Sequence, residues 1–261
     1  MDADYLLEVE GVSMSFGGLM ALIDQNFRVR KGIIKAIIGP NGAGKTTLFN
    51  VITGLFPPTE GTVRFRGRRI DHLKAHQIAG RGISRTFQTV ELFGHMTVLE
   101  NVMVGCHTRV KSSFIASGLR MPGVRRSEKK IQKRGMEILE FIGLKHAWNE
   151  TSGELPLGEQ KILEIGRALA TEPELLCLDE PAAGLNETET LVQSGLINRI
   201  KDKGITILLV EHDMKVVMDV SDEIMVLNYG EKIAEGVSEE IRDDPKVIEA
   251  YLGSENGNAQ G

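Results

Sequence analysis

The 261-residue chain is 41% hydrophobic and 26% charged, the balance of a soluble globular protein with room for a substantial core. Its net charge of -5 and the lack of a dominant Lys/Arg block give no electrostatic case for nucleic acid, and its two cysteines, Cys106 and Cys177, form no CxxC pair, which fits a reducing cytosol and offers no metal site. The acidic start MDADYLLEVE lacks a signal-peptide apolar stretch and no apolar run reaches membrane-span length, so the chain is expected not to cross a bilayer, with docking on something that does left open.

In chain order, residues from about 5 to 30 and about 61 to 72 read as β segments with Gly turns, predicting an antiparallel sheet. The basic run RFRGRR, Arg64 to Arg69, reads as a hairpin with a solvated face. Ile33–Ile38, Leu175–Leu178, Ile205–Val210 and Ile224–Leu227 read as strands buried on both faces, with helical patterns between them, which predicts an α/β core with a parallel sheet. From about 95 to 165 the chain reads as mostly helical. Thr97 and Glu100 form a capping box ahead of Val98–Val104. Ser127 is placed to cap a helix over Glu128–Ile142 that Gly143 ends. Between these helices, His107–Arg126 is a basic Gly- and Ser-containing insert. In ELPLGEQKILEIGRAL, Ile162, Ile165, Gly166 and Leu169 share one helix face behind a Pro-containing elbow. The small polar ending SENGNAQG is expected to fray.

The strongest motif follows Ile38. Gly39, Gly44, Lys45 and Thr46 match G-x-x-x-x-G-K-[ST] between a buried strand and a helix with Leu48, Val51, Ile52 and Leu55 on one face. In such a loop the backbone of Asn41, Gly42, Ala43, Gly44, Lys45, Thr46 and Thr47 wraps a polyphosphate, which Lys45 neutralises while the Thr46 hydroxyl ligates Mg²⁺. ELLCLDEP then ends a buried strand in Asp179, suited to hold Mg²⁺, and Glu180, suited to polarise an attacking water. Ile205–Val210 ends in Glu211-His212-Asp213, and His212 there can contact a γ-phosphate or orient the water.

Together these residues resemble the ATP-binding subunit of ABC transporters, over about residues 5 to 253. The resemblance implies a P-loop NTPase core with a mainly parallel sheet, an antiparallel β subdomain and a helical subdomain. It divides the chain into a core of 1–94 with 166–261 and a helical subdomain of 95–165. GPNGAGKTT is similar to the Walker A loop, LLCLDEP to the Walker B strand, and His212 to the switch histidine. Gln88 in GISRTFQ matches the Q-loop glutamine, implying contact with Mg²⁺ or water and sensing of a membrane partner. Phe16 matches the aromatic residue that stacks on adenine. Ala183-Gly184-Leu185-Asn186 stands at the D-loop, with Asn186 in place of the usual Asp. ELPLGEQ aligns with the LSGGQ signature, which caps ATP on the opposite subunit of a head-to-tail dimer. Leu155 and Gly158 match, whereas Pro156, Leu157 and Glu159 replace Ser, Gly and Gln. Pro156 has no N–H to donate, and these departures imply an asymmetric pair of ATP sites.

Within that family, RTFQTVELFGHMTVLENVMVG, the insert, the Leu-Pro signature, PAAGLNETE and EEIRDDPKVIEAYLG are similar to the larger ATPase of the branched-chain amino acid importers. This implies ATP and Mg²⁺ as cofactors and two membrane-spanning permease subunits as partners. A second ATPase subunit in a heterodimer or homodimer and, indirectly, a substrate-binding protein complete the implied assembly, at the cytoplasmic face of the membrane. Leu92, Phe93, Met96 and Val98 flank Gln88 and read either as that docking surface or as core. A soluble ABC ATPase of repair or translation type is the alternative, against which stand the single cassette and the acidic balance. A GTPase lacks its Asn-Lys-x-Asp element here, and a non-hydrolysing regulatory protein would not need Glu180 and His212.

Overall fold

Strand-length apolar runs and helical stripes pair into two sheets and a helical group in the computed structural model, which describes residues 4–107 and 122–257. Strands β1 (Tyr5–Phe16) and β2 (Leu19–Arg30) make a long hairpin, which β4 (Glu60–Phe65) and β5 (Arg68–Arg69) extend into a four-stranded antiparallel sheet of order β2-β1-β4-β5. The RFRGRR run is the β4–β5 hairpin, as expected.

The second sheet has the order β10-β9-β3-β8-β7-β6, with β3 (Ile34–Ile38), β6 (Ile83–Arg85), β7 (Leu175–Asp179), β8 (Thr206–Val210), β9 (Glu223–Asn228) and β10 (Glu231–Gly236). All pairs are parallel except β9–β10. β3, β7 and β8 are buried along their whole length, which explains their unbroken apolar runs. Sequence patterning misses β6 and β10, since three residues are too few to show a period and EKIAEG is a polar edge.

Helix α1 (Lys45–Ile52) buries Leu48, Val51 and Ile52, as predicted, but stops before Leu55, which is exposed. Gly54 turns the chain at φ +74°, where a side chain would meet Ile78 and the Leu73 carbonyl. A short helix α2 (Ala75–Ala79) leads into β6. Next come α3 (Val98–His107), α4 (Pro122–Ile142) and α5 (Leu157–Leu169), packed on one another. Thr97 and Glu100 make their capping box in both directions. α4 begins at Pro122, so Ser127 lies within the helix and is not its cap; Pro presets the first-turn dihedral and needs no N–H partner there. Residues 108–121 of the predicted insert lie outside the described residues. α6 (Glu187–Asp202), α7 (Met214–Val220), α8 (Ser238–Arg242) and α9 (Pro245–Gly257) complete the fold. α9 runs through Ser254–Gly257, so the ending is helical to that point, and 258–261 lie outside the described residues.

One apolar cluster joins α3, α4 and α5 to β7 and β8, and a second fills the space between the two sheets around α1. The helical group is thus fused to the parallel sheet by shared core, at roughly 25 cal/mol per Å² of buried apolar area.

Candidate functional site

The parallel strands end together on one edge of the sheet, where loops from β3, β6, β7 and β8 meet. The β3 loop needs its glycines. Gly39 has φ +148° and its Cβ would collide with the Leu227 carbonyl; at Gly44, φ +104°, a Cβ would lie 2.6 Å from the Ala21 oxygen. Asn41 and Gly42 are exposed, Ala43 is buried, Thr46 is exposed and Thr47 half-buried. The Gly230 N–H donates to the Ala43 carbonyl at 3.0 Å, fixing the loop from the β9–β10 turn. Buried Lys45 folds back so that Nζ donates to the carbonyls of Gly39 (2.7 Å) and Pro40 (2.9 Å). Burial pushes its amine below the ordinary lysine value, against the pull of Glu180 and Asp179.

Asp179 ends β7, almost fully buried. Its Oδ2 accepts from Arg85 Nη2 at 2.6 Å, while Oδ1 is buried without a hydrogen-bond partner among the described residues. Burial pushes the Asp179 carboxyl up, and the Arg85 bond opposes this. Arg85 also donates to Asn50 Oδ1 (2.6 Å) and Thr53 Oγ1 (3.2 Å), with its guanidinium over the rings of Phe49 and Phe87.

Glu180 adopts φ +46°, a left-handed conformation that costs a non-glycine residue about 1 kcal/mol. Its N–H donates to the Val210 carbonyl at 2.8 Å, and its own carbonyl accepts from Lys161 Nζ at 3.1 Å. The side-chain Oε2 accepts from Gln88 Nε2 at 2.8 Å, and His212 Nδ1 lies 3.8 Å from the same oxygen. Glu211, fully buried, accepts from the Ala182 N–H at 2.7 Å and the His212 N–H at 3.1 Å, tying the β7 and β8 loops together.

The structure therefore gathers Gln88, Glu180 and His212 into one group, with Asp179 and Lys45 close enough to influence one another's charge. Phe16, half-exposed at the end of β1, meets Phe56 edge-on at 5.7 Å, in the hairpin whose Ala21 carbonyl backs onto Gly44. The elbow forms a second group. Leu155 is buried, Pro156 is the N-cap of α5 without a side-chain bond, and a Cβ on Gly158 would lie 2.9 Å from Glu189 Oε1. Glu159 lies 3.7 Å from His146 Nε2. Asn186 caps α6 by accepting from the Glu189 N–H, so an Asp is not required for that cap. Arg85, Lys161 and Glu211 escape a reading of the sequence; their signal is a charge set into an otherwise buried helix face or strand end.

The four residues flanking Gln88 divide. Val98 is core and Leu92 packs against that core, whereas Phe93 and Met96 are exposed. Phe93 lines a groove of about 430 Å³ with Leu55, Phe87, Val104, Glu164 and Arg167. Asn101 holds its loop, accepting from the Phe93 N–H and donating to the Phe93 carbonyl.

Comparison with known proteins shows what the chain as a whole is similar to. A family model described as ABC transporter covers residues 22–183, and one described as branched-chain amino acid ATP-binding cassette transporter covers 231–256. The chain is 46% identical to the high-affinity branched-chain amino acid transport ATP-binding protein BraF of Pseudomonas aeruginosa and 47% identical to LivG of Salmonella typhimurium. Each match covers 95% of this chain and 98% of the relative. Among solved structures, the ADP conformation of MJ1267, an ATP-binding cassette of an ABC transporter, superposes with a TM-score of 0.83 at 37% identity, over 95% of this chain and 99% of that one.

Proposed function

The chain belongs to the ABC transporter ATP-binding family, and from that membership we propose that it is the ATP-hydrolysing subunit of a membrane importer for branched-chain amino acids. The observation that carries the reading is the meeting of a glycine-dependent phosphate loop with Asp179, Glu180 and Gln88 at the strand ends. Near-full-length similarity to named branched-chain amino acid transport proteins supports the substrate class.

The loop from Asn41 to Thr47 holds the phosphates, with Lys45 exchanging its carbonyl partners for phosphate oxygens and Phe16 stacking on the base. Bound Mg²⁺ neutralises charge on the β- and γ-phosphates. The residues suit such a hard cation: the Asp179 Oδ1 is buried without a partner among the described residues, Thr46 is exposed in the phosphate loop, and Gln88 supplies an amide oxygen. Glu180 takes the proton of the attacking water as its oxygen bonds the γ-phosphorus and the β–γ bridging electron pair leaves on ADP. Gln88 fixes the carboxylate for that step, and His212 orients the water or touches the γ-phosphate.

No helix among the described residues is long and apolar enough to cross a membrane, so permease subunits must supply the spans. The groove of Phe87, Phe93 and Arg167 beside exposed Met96 suits their docking at the cytoplasmic face. The described residues within 95–165 are read as the helical subdomain and those within 1–94 and 166–261 as the core, although α5 (Leu157–Leu169) runs unbroken across the boundary at 165. Leu155 and Gly158 cap ATP on a second ATPase subunit, and the altered signature favours a heterodimer. A substrate-binding protein delivers the amino acid to the permeases.

The test is co-purification with untagged neighbours, with ATP binding by Lys45→Ala measured in parallel. Recovery of membrane subunits, together with a loss of about 100-fold in ATP affinity from removing one charge-assisted contact pair, is expected. Full ATP affinity in the variant overturns the nucleotide site; capture of no membrane subunit overturns the transport role.

A further inference from the structure

Two buried charges one turn apart on α5 hold the backbone at Glu180 and at Phe87, the residue before Gln88, on the two sides of the Gln88–Glu180 hydrogen bond. Lys161 and Glu164 are 7% and 4% exposed, on a helix whose other buried residues are all uncharged, Ile162, Leu163, Ile165 and Leu169 among them. Lys161 Nζ donates to the Glu180 carbonyl at 3.1 Å. Glu164 Oε1 accepts from the N–H of Phe87, the residue before Gln88, at 3.3 Å. Gln88 Nε2 then returns to Glu180 Oε2 at 2.8 Å. The contacts close a ring that runs from α5 to Glu180, to Gln88, to Phe87 and back to α5.

Apolar side chains at positions 161 and 164 would fill the same space without the cost of desolvating two charges. What the charges add is direction. Glu180 sits at φ +46°, and a conformation of that kind persists only where its surroundings hold it. Val210 holds its N–H and Lys161 holds its carbonyl, so the two peptides that flank the Glu180 Cα are fixed, one from the β8 side and the other from the α5 side. Glu164 also lines the groove with Phe87, Phe93 and Arg167, so the same helix touches the groove and the back of Glu180.

We propose that Lys161 and Glu164 are positioning residues that set the aim of Glu180 and carry displacements at the groove to it through α5, beside the route through Gln88. The proposal rests on the reading of Glu180 as the hydrolytic carboxylate. It concerns this subunit's own ATP, whereas the elbow at the head of the same helix serves the ATP of the opposite subunit.

The experiment uses the complete transporter and compares Lys161→Met and Glu164→Met, which remove the donor and the acceptor, with Lys161→Arg and Glu164→Gln, which retain them. Each Met variant is expected to lower kcat about tenfold with KM for ATP little changed, since a misaimed group slows the step without weakening binding. The Arg and Gln variants should recover most of the rate. The double Met variant should be little slower than either single one, because the ring is already open. In a Glu180→Gln background, Lys161→Met should leave ATP-dependent subunit association intact. Unchanged kcat in both Met variants, a matching rise in KM, additive losses, or lost association each overturns the proposal. Should Lys161→Met fail to fold, Glu164→Met reads the ring from its other end. Glu180→Gln is run alone as a control: wild-type turnover there removes the reading of Glu180 itself, whereas an inactive Glu180→Gln with normal Lys161→Met and Glu164→Met removes only the present proposal.

Discussion

The Gln88 side chain donates to Glu180 Oε2 at 2.8 Å, joining residues 92 apart in sequence across the β6–β7 edge of the sheet. The same oxygen lies 3.8 Å from His212 Nδ1. One carboxylate thus answers to two loops, and this arrangement sets what its removal should do.

Glu180→Gln is expected to keep ATP binding and lower turnover at least about 100-fold, the usual scale for losing a general base. It should accumulate an ATP-bound dimer, visible by size-exclusion chromatography. Hydrolysis at the wild-type rate would mean that another group takes the proton. His212→Ala should act on turnover with little change in affinity, and an equal rate would leave His212 a structural role.

Arg85 and Asp179 form an ion pair with side chains only 7% and 1% exposed. Removing one partner of such a pair strands a buried charge, at about 3 kcal/mol or more. Arg85→Met should therefore destabilise the protein strongly in denaturant melts and push the Asp179 carboxyl further up. Asp179→Asn added to Arg85→Met should recover part of the loss. If Arg85→Met alone unfolds at the wild-type midpoint, the pair contributes nothing to stability.

Lys35, a buried cation on β3, is bonded to Glu223 at 3.0 Å and to Glu235, which also accepts from Lys232 at 2.6 Å. Burial alone would raise the Glu235 carboxyl, but the Lys232 and Lys35 bonds outweigh it and hold the group below its ordinary value. A carboxylate with a depressed folded value adds stability above its unfolded value of about 4.3 and loses it as pH falls through the folded value. Glu235→Gln should cost about 1 to 2 kcal/mol at pH 7. The gap to wild type should close in urea titrations run progressively below about pH 4. A gap that stays constant down to pH 3 would show that the charge of Glu235 is immaterial.

At the elbow, Pro156 caps α5 without offering a hydrogen bond, and Glu159 leans toward His146. Pro156→Ser restores a hydroxyl and an N–H, and one hydrogen bond of about 1 kcal/mol corresponds to about a fivefold effect on ATPase activity of the assembled complex. No change in that activity would remove the main support for unequal ATP sites.

Much of the fold and of the site is legible in the order of the amino acids. The buried runs at Ile34–Ile38, Leu175–Asp179 and Thr206–Val210 announce a parallel sheet because a strand covered on both faces has no polar alternation. GPNGAGKTT announces a phosphate loop because its glycines answer a local requirement of the backbone, seen at Gly39 and Gly44. The acids at 179 and 180 are readable as strand-end residues for the same short-range reason. Where local signals compete, sequence patterning fails: Ser127 looks like a cap, but Pro122 begins the helix earlier.

Tertiary structure alone decides which residues meet. The order β3-β8-β7-β6 puts Arg85 beside Asp179 and Gln88 beside Glu180, and no spacing encodes strand order. It also turns Lys161 inward to the Glu180 carbonyl, although its position beside Ile162 carries no period of its own. Propensity, periodicity and glycine geometry act over a few residues and are written along the chain. Burial of a charge is favourable only where distant partners converge on it, so those pairings exist only in the folded protein.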